Sequence, residues 1–123
     1  MPVSAGTIAG STIGAEIVED TASDNTPQTV DLSGGTLYQV FIDNTANSAV
    51  SYVKLYEAVK TSVTVGTTPP SFIFPCPASV TKQFDFPTGI AYATALSVSS
   101  VTAAGTGGTT SPTGAVLVRF TIA

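Results

Sequence analysis

The chain has no histidine and no tryptophan, one cysteine, and few charges, at 10% of 123 residues. Each shortage excludes a class of function. Without histidine there is no Ser-His-Asp or Cys-His nucleophile pair, and no imidazole for base catalysis or metal ligation near neutral pH. One cysteine and no histidine cannot build a zinc site. Cys76 has no partner for an intrachain disulfide, so no oxidising compartment is implied. Flanked by Pro75 and Pro77 after Phe72-Ile73-Phe74, it reads as a small buried residue. No stretch approaches the ~18 apolar residues that span a bilayer. MPVSAGTIAGSTIG has neither the basic n-region nor the apolar h-region of a secretory signal, so synthesis in a cytosol is expected.

Basic residues are scarce too. The four, Lys54, Lys60, Lys82 and Arg119, are scattered, and none precedes Lys54, while Glu16, Glu19, Asp20, Asp24, Asp31 and Asp43 all do. A net charge of −4 with this placement cannot neutralise a row of phosphates, so nucleic acid is not an expected partner. The acidic early segment is expected to be a solvated loop or to meet a basic patch on a partner. Hydrophobic residues make up 43% of the chain, which excludes the composition of a disordered one. A surface of Ser, Thr, Gly and Ala with few charges suits a subunit covered by neighbours better than a free monomer.

What remains is alternation with a period of two. Tyr38, Val40 and Ile42 share one face of a run, with Leu37 and Phe41 on the other. Val80, Phe84 and Phe86 oppose Thr81, Gln83 and Asp85; Ile90, Tyr92, Leu96 and Val98 form a further set, and Val116, Val118, Phe120 and Ile122 another. These patterns predict half-buried strands. Breakers such as Ser33-Gly34-Gly35, Gly66-Thr67-Thr68-Pro69-Pro70, Pro75-Cys76-Pro77 and Pro87-Thr88-Gly89 fall between them, and no window has helical periodicity. The expected fold is all-β: an antiparallel β-sandwich, jelly-roll-like or Ig-like, spanning residues 14–123. Residues 1–13, small and polar with Ile8 and Ile13 as apolar anchors, are expected to form an extended N-terminal arm lying on a neighbour.

Candidate chemistry is thin. Asp31-Leu32-Ser33-Gly34 departs from the Asp-Thr/Ser-Gly of aspartic proteases because Leu32 intervenes, and a turn is expected there. Asp20, Asp24, Asn25 and Asp31 offer oxygen ligands, but not at the spacing of a regular calcium loop. Gly105-Thr106-Gly107-Gly108 lacks the Lys-Ser/Thr that completes a phosphate loop. An enzyme is not expected, nor any cofactor or metal. Between two strands, Asp43-Asn44-Thr45-Ala46-Asn47-Ser48 reads as a turn, with Asn44 and Asn47 suited to left-handed positions. In the strand that follows, Val53 and Leu55 share a face opposite Tyr52, Lys54 and Tyr56, which form either a solvated face or a contact surface.

LYQVFIDNTANSAVSYVKLY and FPTGIAYATALSVSSVTAAGTGGTTSP resemble segments of small virion structural proteins of tailed bacteriophages. The likeness extends over about residues 36–122 and leaves out residues 1–35. It implies a head decoration (cement) protein on the capsid exterior, with the major capsid protein and copies of itself, as homotrimer or homodimer, for partners. It implies no catalytic residues. The contact residues expected on this view are Ile8, Ile13, Glu16, Glu19, Asp20, Tyr52, Lys54 and Tyr56. The arm and the acidic segment 16–31 would grip the shell, and 103–114 would face a neighbour or solvent. A tail, collar or fibre-associated virion protein is the alternative, as is a carbohydrate-binding sandwich with a row of Tyr38, Tyr52, Tyr56 and Tyr92.

Overall fold

The structure, a computed structural model, describes residues 3–7 as backbone and residues 16–123 in full. Nine strands follow one another among these residues: β1 (Val3–Thr7), β2 (Glu16–Ser23), β3 (Gln28–Asp31), β4 (Gly35–Asp43), β5 (Ser51–Tyr56), β6 (Phe72–Cys76), β7 (Thr81–Tyr92), β8 (Leu96–Val101) and β9 (Val116–Ile122). The one helical element described is a 3-10 turn at Lys60–Ser62. The expected all-β sandwich is what forms.

Every pairing is antiparallel, and four of them are nested: β2 with β9, β3 with β8, β4 with β7, β5 with β6. The chain is thus one long two-stranded ribbon, folded back on itself between β5 and β6. Rolling that ribbon adds the pairs β4–β9 and β5–β8. The outcome is a five-stranded sheet, β1-β2-β9-β4-β7, against a four-stranded one, β3-β8-β5-β6. Leaving β1 aside, this is the jelly-roll order, which decides between the two sandwich types expected.

Alternation supplies the core. Val116, Val118, Phe120 and Ile122 of β9 are all buried, as their spacing predicts, against Val53, Leu55, Leu96 and Val98 of the other sheet. Phe74 packs on Phe84 and Phe86, with ring centroids 5.0 and 5.8 Å away, and closes the side between β6 and β7.

Four sequence expectations need correction. Leu37 does not share a face with Phe41; it is buried in the core with Val40 and Ile42. The cause is a register shift between Leu37 and Gln39, which inserts Tyr38 and reverses the alternation. The opposing strand departs from its ladder over Phe86–Gly89, where Gly89 has a φ of 76°. Second, residues 90–98 are two strands in different sheets; Tyr92 and Leu96 reach the same core from opposite sides of a turn lacking Gly or Pro. Third, the acidic segment 16–31 supplies β2 and β3. Fourth, Phe72–Cys76 is a strand despite Pro75, which an edge position tolerates. Of the segment expected to be an arm, Val3–Thr7 pair with β2 of the same chain, from Val3↔Asp20 to Thr7↔Glu16. Ile8 and Ile13 lie outside the described residues.

Candidate interaction surfaces

The two sheets present their outer faces differently. On the four-stranded sheet, Tyr52, Lys54 and Tyr56 lie opposite Val101, Ser99 and Ser97 across the β5–β8 ladder. Tyr52 keeps part of its side chain at the surface, while Lys54 and Tyr56, 1% and 2% exposed, are neither a solvated nor a contact surface. The chain's own connections cover them. Lys54 Nζ donates to the Gly105 carbonyl at 2.6 Å, and Ser97 Oγ donates to the Ala58 carbonyl at 2.6 Å. Beneath them Tyr56 OH and Ser99 Oγ share a hydrogen bond of 3.1 Å. Segment 103–114 therefore roofs its own sheet. It is held by Asn25, whose Nδ2 donates to the Thr109 carbonyl at 2.9 Å and whose backbone N–H donates to Ser111 Oγ at 3.0 Å. Burial holds the Lys54 ammonium below the usual lysine range. Two sequence features pointed this way: the apolar residues on both faces of VSYVKLY, and the serines of LSVSSV, the latter segment buried along its whole length.

The turn after β4 is built around a buried amide. Asn44 Nδ2 donates to the carbonyls of Ala49, Cys76 and Pro77 at 3.0, 3.2 and 3.0 Å. Its Oδ1 accepts from Asn47 Nδ2 at 2.9 Å and Ser51 Oγ at 2.8 Å. Asn47 Oδ1 in turn accepts the Gly114 N–H at 2.6 Å, and the Asn47 carbonyl accepts the Ser79 N–H at 2.9 Å. Three connections are tied at one end of the sandwich. Neither asparagine is left-handed; the residue that is, with a φ of 61°, is Ser79. The hairpin is therefore a structural knot, and its polar atoms are engaged internally.

The acidic residues divide in the same manner. Asp31 Oδ1 accepts the Ser33 N–H at 3.1 Å, the expected turn, and its Oδ2 accepts from Tyr92 OH at 2.8 Å. Asp24 Oδ1 accepts the Thr26 N–H at 2.8 Å. Glu19 Oε2 receives Arg119 Nε at 2.7 Å, the one ion pair among the described residues. Glu16 is half-buried at the start of β2. Asp20 is 1% exposed; its Oδ1 accepts the Ala22 N–H at 3.2 Å and its Oδ2 has no partner. Burial, the largest influence, pushes its carboxyl up to about 6, against the opposing effect of the Ala22 bond. Asp20 is thus not a contact residue. Among the described residues no group of three or more carboxylates and cysteine converges as a metal site would require. The row of tyrosines dissolves as well, since Tyr56 and Tyr92 are both buried.

On the five-stranded sheet the outer face is left open by the described chain. Cross-strand pairing sets Glu19 beside Arg119 and Arg119 beside Phe41. The guanidinium carbon stands 5.3 Å from the Phe41 ring centre. Ile17 and Leu117, each two residues from this row, add half-buried apolar side chains. Of the contact residues expected from the sequence, Glu19 alone lies in this patch with its side chain described. Phe41, Leu117 and Arg119 were not foreseen, because pairing of β2 with β9 across the length of the chain is invisible to local periodicity. A scan against protein-family models finds no match to this chain, and none of the curated proteins matches it.

Proposed function

We propose that the chain is a structural subunit of a virion, a head decoration protein that binds the outer surface of a phage capsid and copies of itself. The observation that carries this is the contrast between the faces. The chain roofs one sheet with its own loops and leaves on the other a patch of half-buried Ile17, Phe41 and Leu117 around the Arg119–Glu19 pair. Such a patch, apolar with one satisfied ion pair, is suited to burial against a second protein. The side chains of Asn44, Asn47, Asp24 and Asp31 are engaged in turns within the chain, which suits a structural subunit. The resemblance of residues 36–122 to small phage virion proteins supplies the setting.

In this role each subunit covers a seam between capsid proteins, and many modest interfaces on a closed shell add by avidity. Immunogold labelling of intact virions with an antibody to this chain tests it. Label spread over the head is the expected result, and the double variant Phe41→Asp/Leu117→Asp should lower head occupancy at least tenfold while its circular dichroism stays native. Label confined to the tail would move the chain to a tail or collar role. No label on intact or disrupted particles would overturn the virion assignment.

A further inference from the structure

Each sheet has two edges, and the described residues guard three of the four. An unguarded edge presents a row of free N–H and C=O groups that will pair with another strand. β7 carries Lys82, Pro87 and the departure at Phe86–Gly89. β6 carries Pro75. β3 is four residues long and has a register shift between Thr29 and Asp31. β1 is different: Val3-Ser4-Ala5-Gly6-Thr7 has no proline and no charge, and its five-residue register with β2 is unbroken. Among the described residues β2 lies on one side of it and no strand on the other.

We propose that β1 is the self-association edge of this protein, pairing antiparallel with β1 of a second copy about a two-fold axis at Ala5, the middle residue of the strand. Identical uncharged strands can meet this way with no like charges opposed across the ladder. Guarding of the other three edges matters equally. A chain with two open edges would continue pairing into a fibre, whereas one open edge closes at two copies. The join makes one ten-stranded sheet from two five-stranded ones and sets both open faces on a common surface, doubling the patch offered to a shell. This interface rests on the assembling role proposed above for its purpose, and its own test is independent of any virion.

Sedimentation of the full chain over a wide concentration range should show a monomer–dimer equilibrium. Ala5→Lys sets like charges together near the two-fold and should weaken the dimer at least tenfold. That change also disturbs β1 against β2, so a cross-link gives the separate arm. Under mild oxidation Ala5→Cys should yield a disulfide-linked dimer, while the parent, whose Cys76 is buried, stays unlinked. A parent that stays monomeric at every concentration would overturn the proposal. So would a dimer indifferent to Ala5→Lys, or an Ala5→Cys dimer that fails to cross-link. A monomer that still labels phage heads would sink this interface and leave the decoration role standing; a β1-linked dimer absent from virions would do the reverse.

Discussion

Asp20 and Asn44 are both buried polar side chains, and the fold treats them in opposite ways. Asn44 uses both ends of its amide. Removing it would leave several buried carbonyls and a hydroxyl without partners, each worth about 1 kcal/mol or more. Asn44→Ala is therefore expected to lower stability by roughly 3 kcal/mol in urea unfolding, with little change in the m-value. Asp20 has one unpartnered oxygen, and its folded pKa of about 6 stands above the ordinary 3.8. Across that window the native state holds a proton that the unfolded chain has lost. Stability should fall as pH rises from about 4 to about 6, by roughly 2–3 kcal/mol, and be flat above. Asp20→Asn should remove that slope and raise stability at pH 7 by about 1–2 kcal/mol. Unfolding midpoints at a series of pH values read both effects. Neither role was legible in the sequence. Glu19-Asp20 looks like surface charge, and an asparagine in a turn suggests backbone conformation before it suggests a hub.

Strands with an unbroken alternation were legible, and β9 is the clearest: four apolar residues at every second position, all buried. Elements escaped notice where a local rule gives way to tertiary context. The sequence of β2 places acids on both faces, so its burial shows only once β9 lies beside it. In β4 the extra residue Tyr38 shifts the phase, and nothing in the string Leu37-Tyr38-Gln39 marks it. Opposite, Gly89 is legible as a breaker but not as a contact. A Cβ there would overlap Thr36 Cγ2, sit 3.1 Å from Tyr38 Cε1, and demand a left-handed backbone. Gly89→Ala should cost about 2 kcal/mol. Hydrogen exchange should show the loss of protection centred on the β4–β7 ladder, with the β5–β8 ladder unaffected.

At the scale of the whole molecule, the nested ribbon orders the pairings by separation along the chain. Of the four nested pairs β5–β6 closes the shortest loop, while β2–β9 joins residues 100 positions apart, as in Glu19 and Arg119. Loop closure is cheaper for the inner pair, and a sandwich dominated by distant pairings folds in about milliseconds to seconds. Val53→Ala on β5 should slow folding several-fold, while Val118→Ala on β9 should act mainly by speeding unfolding; stopped-flow chevrons distinguish the two. The sandwich was legible in strand spacing, and its winding was not, because the same run of strands fits several sheet orders. Rolling also fixes how the domain bears load. Glu16 and Ile122 are register partners, so tension applied at these two residues lies along the cross-strand hydrogen bonds and meets them one pair at a time. The domain should peel open under modest force when pulled from this end. Force delivered through a sheet face loads all strands together, and a subunit that braces a pressurised shell would have to be held by its face.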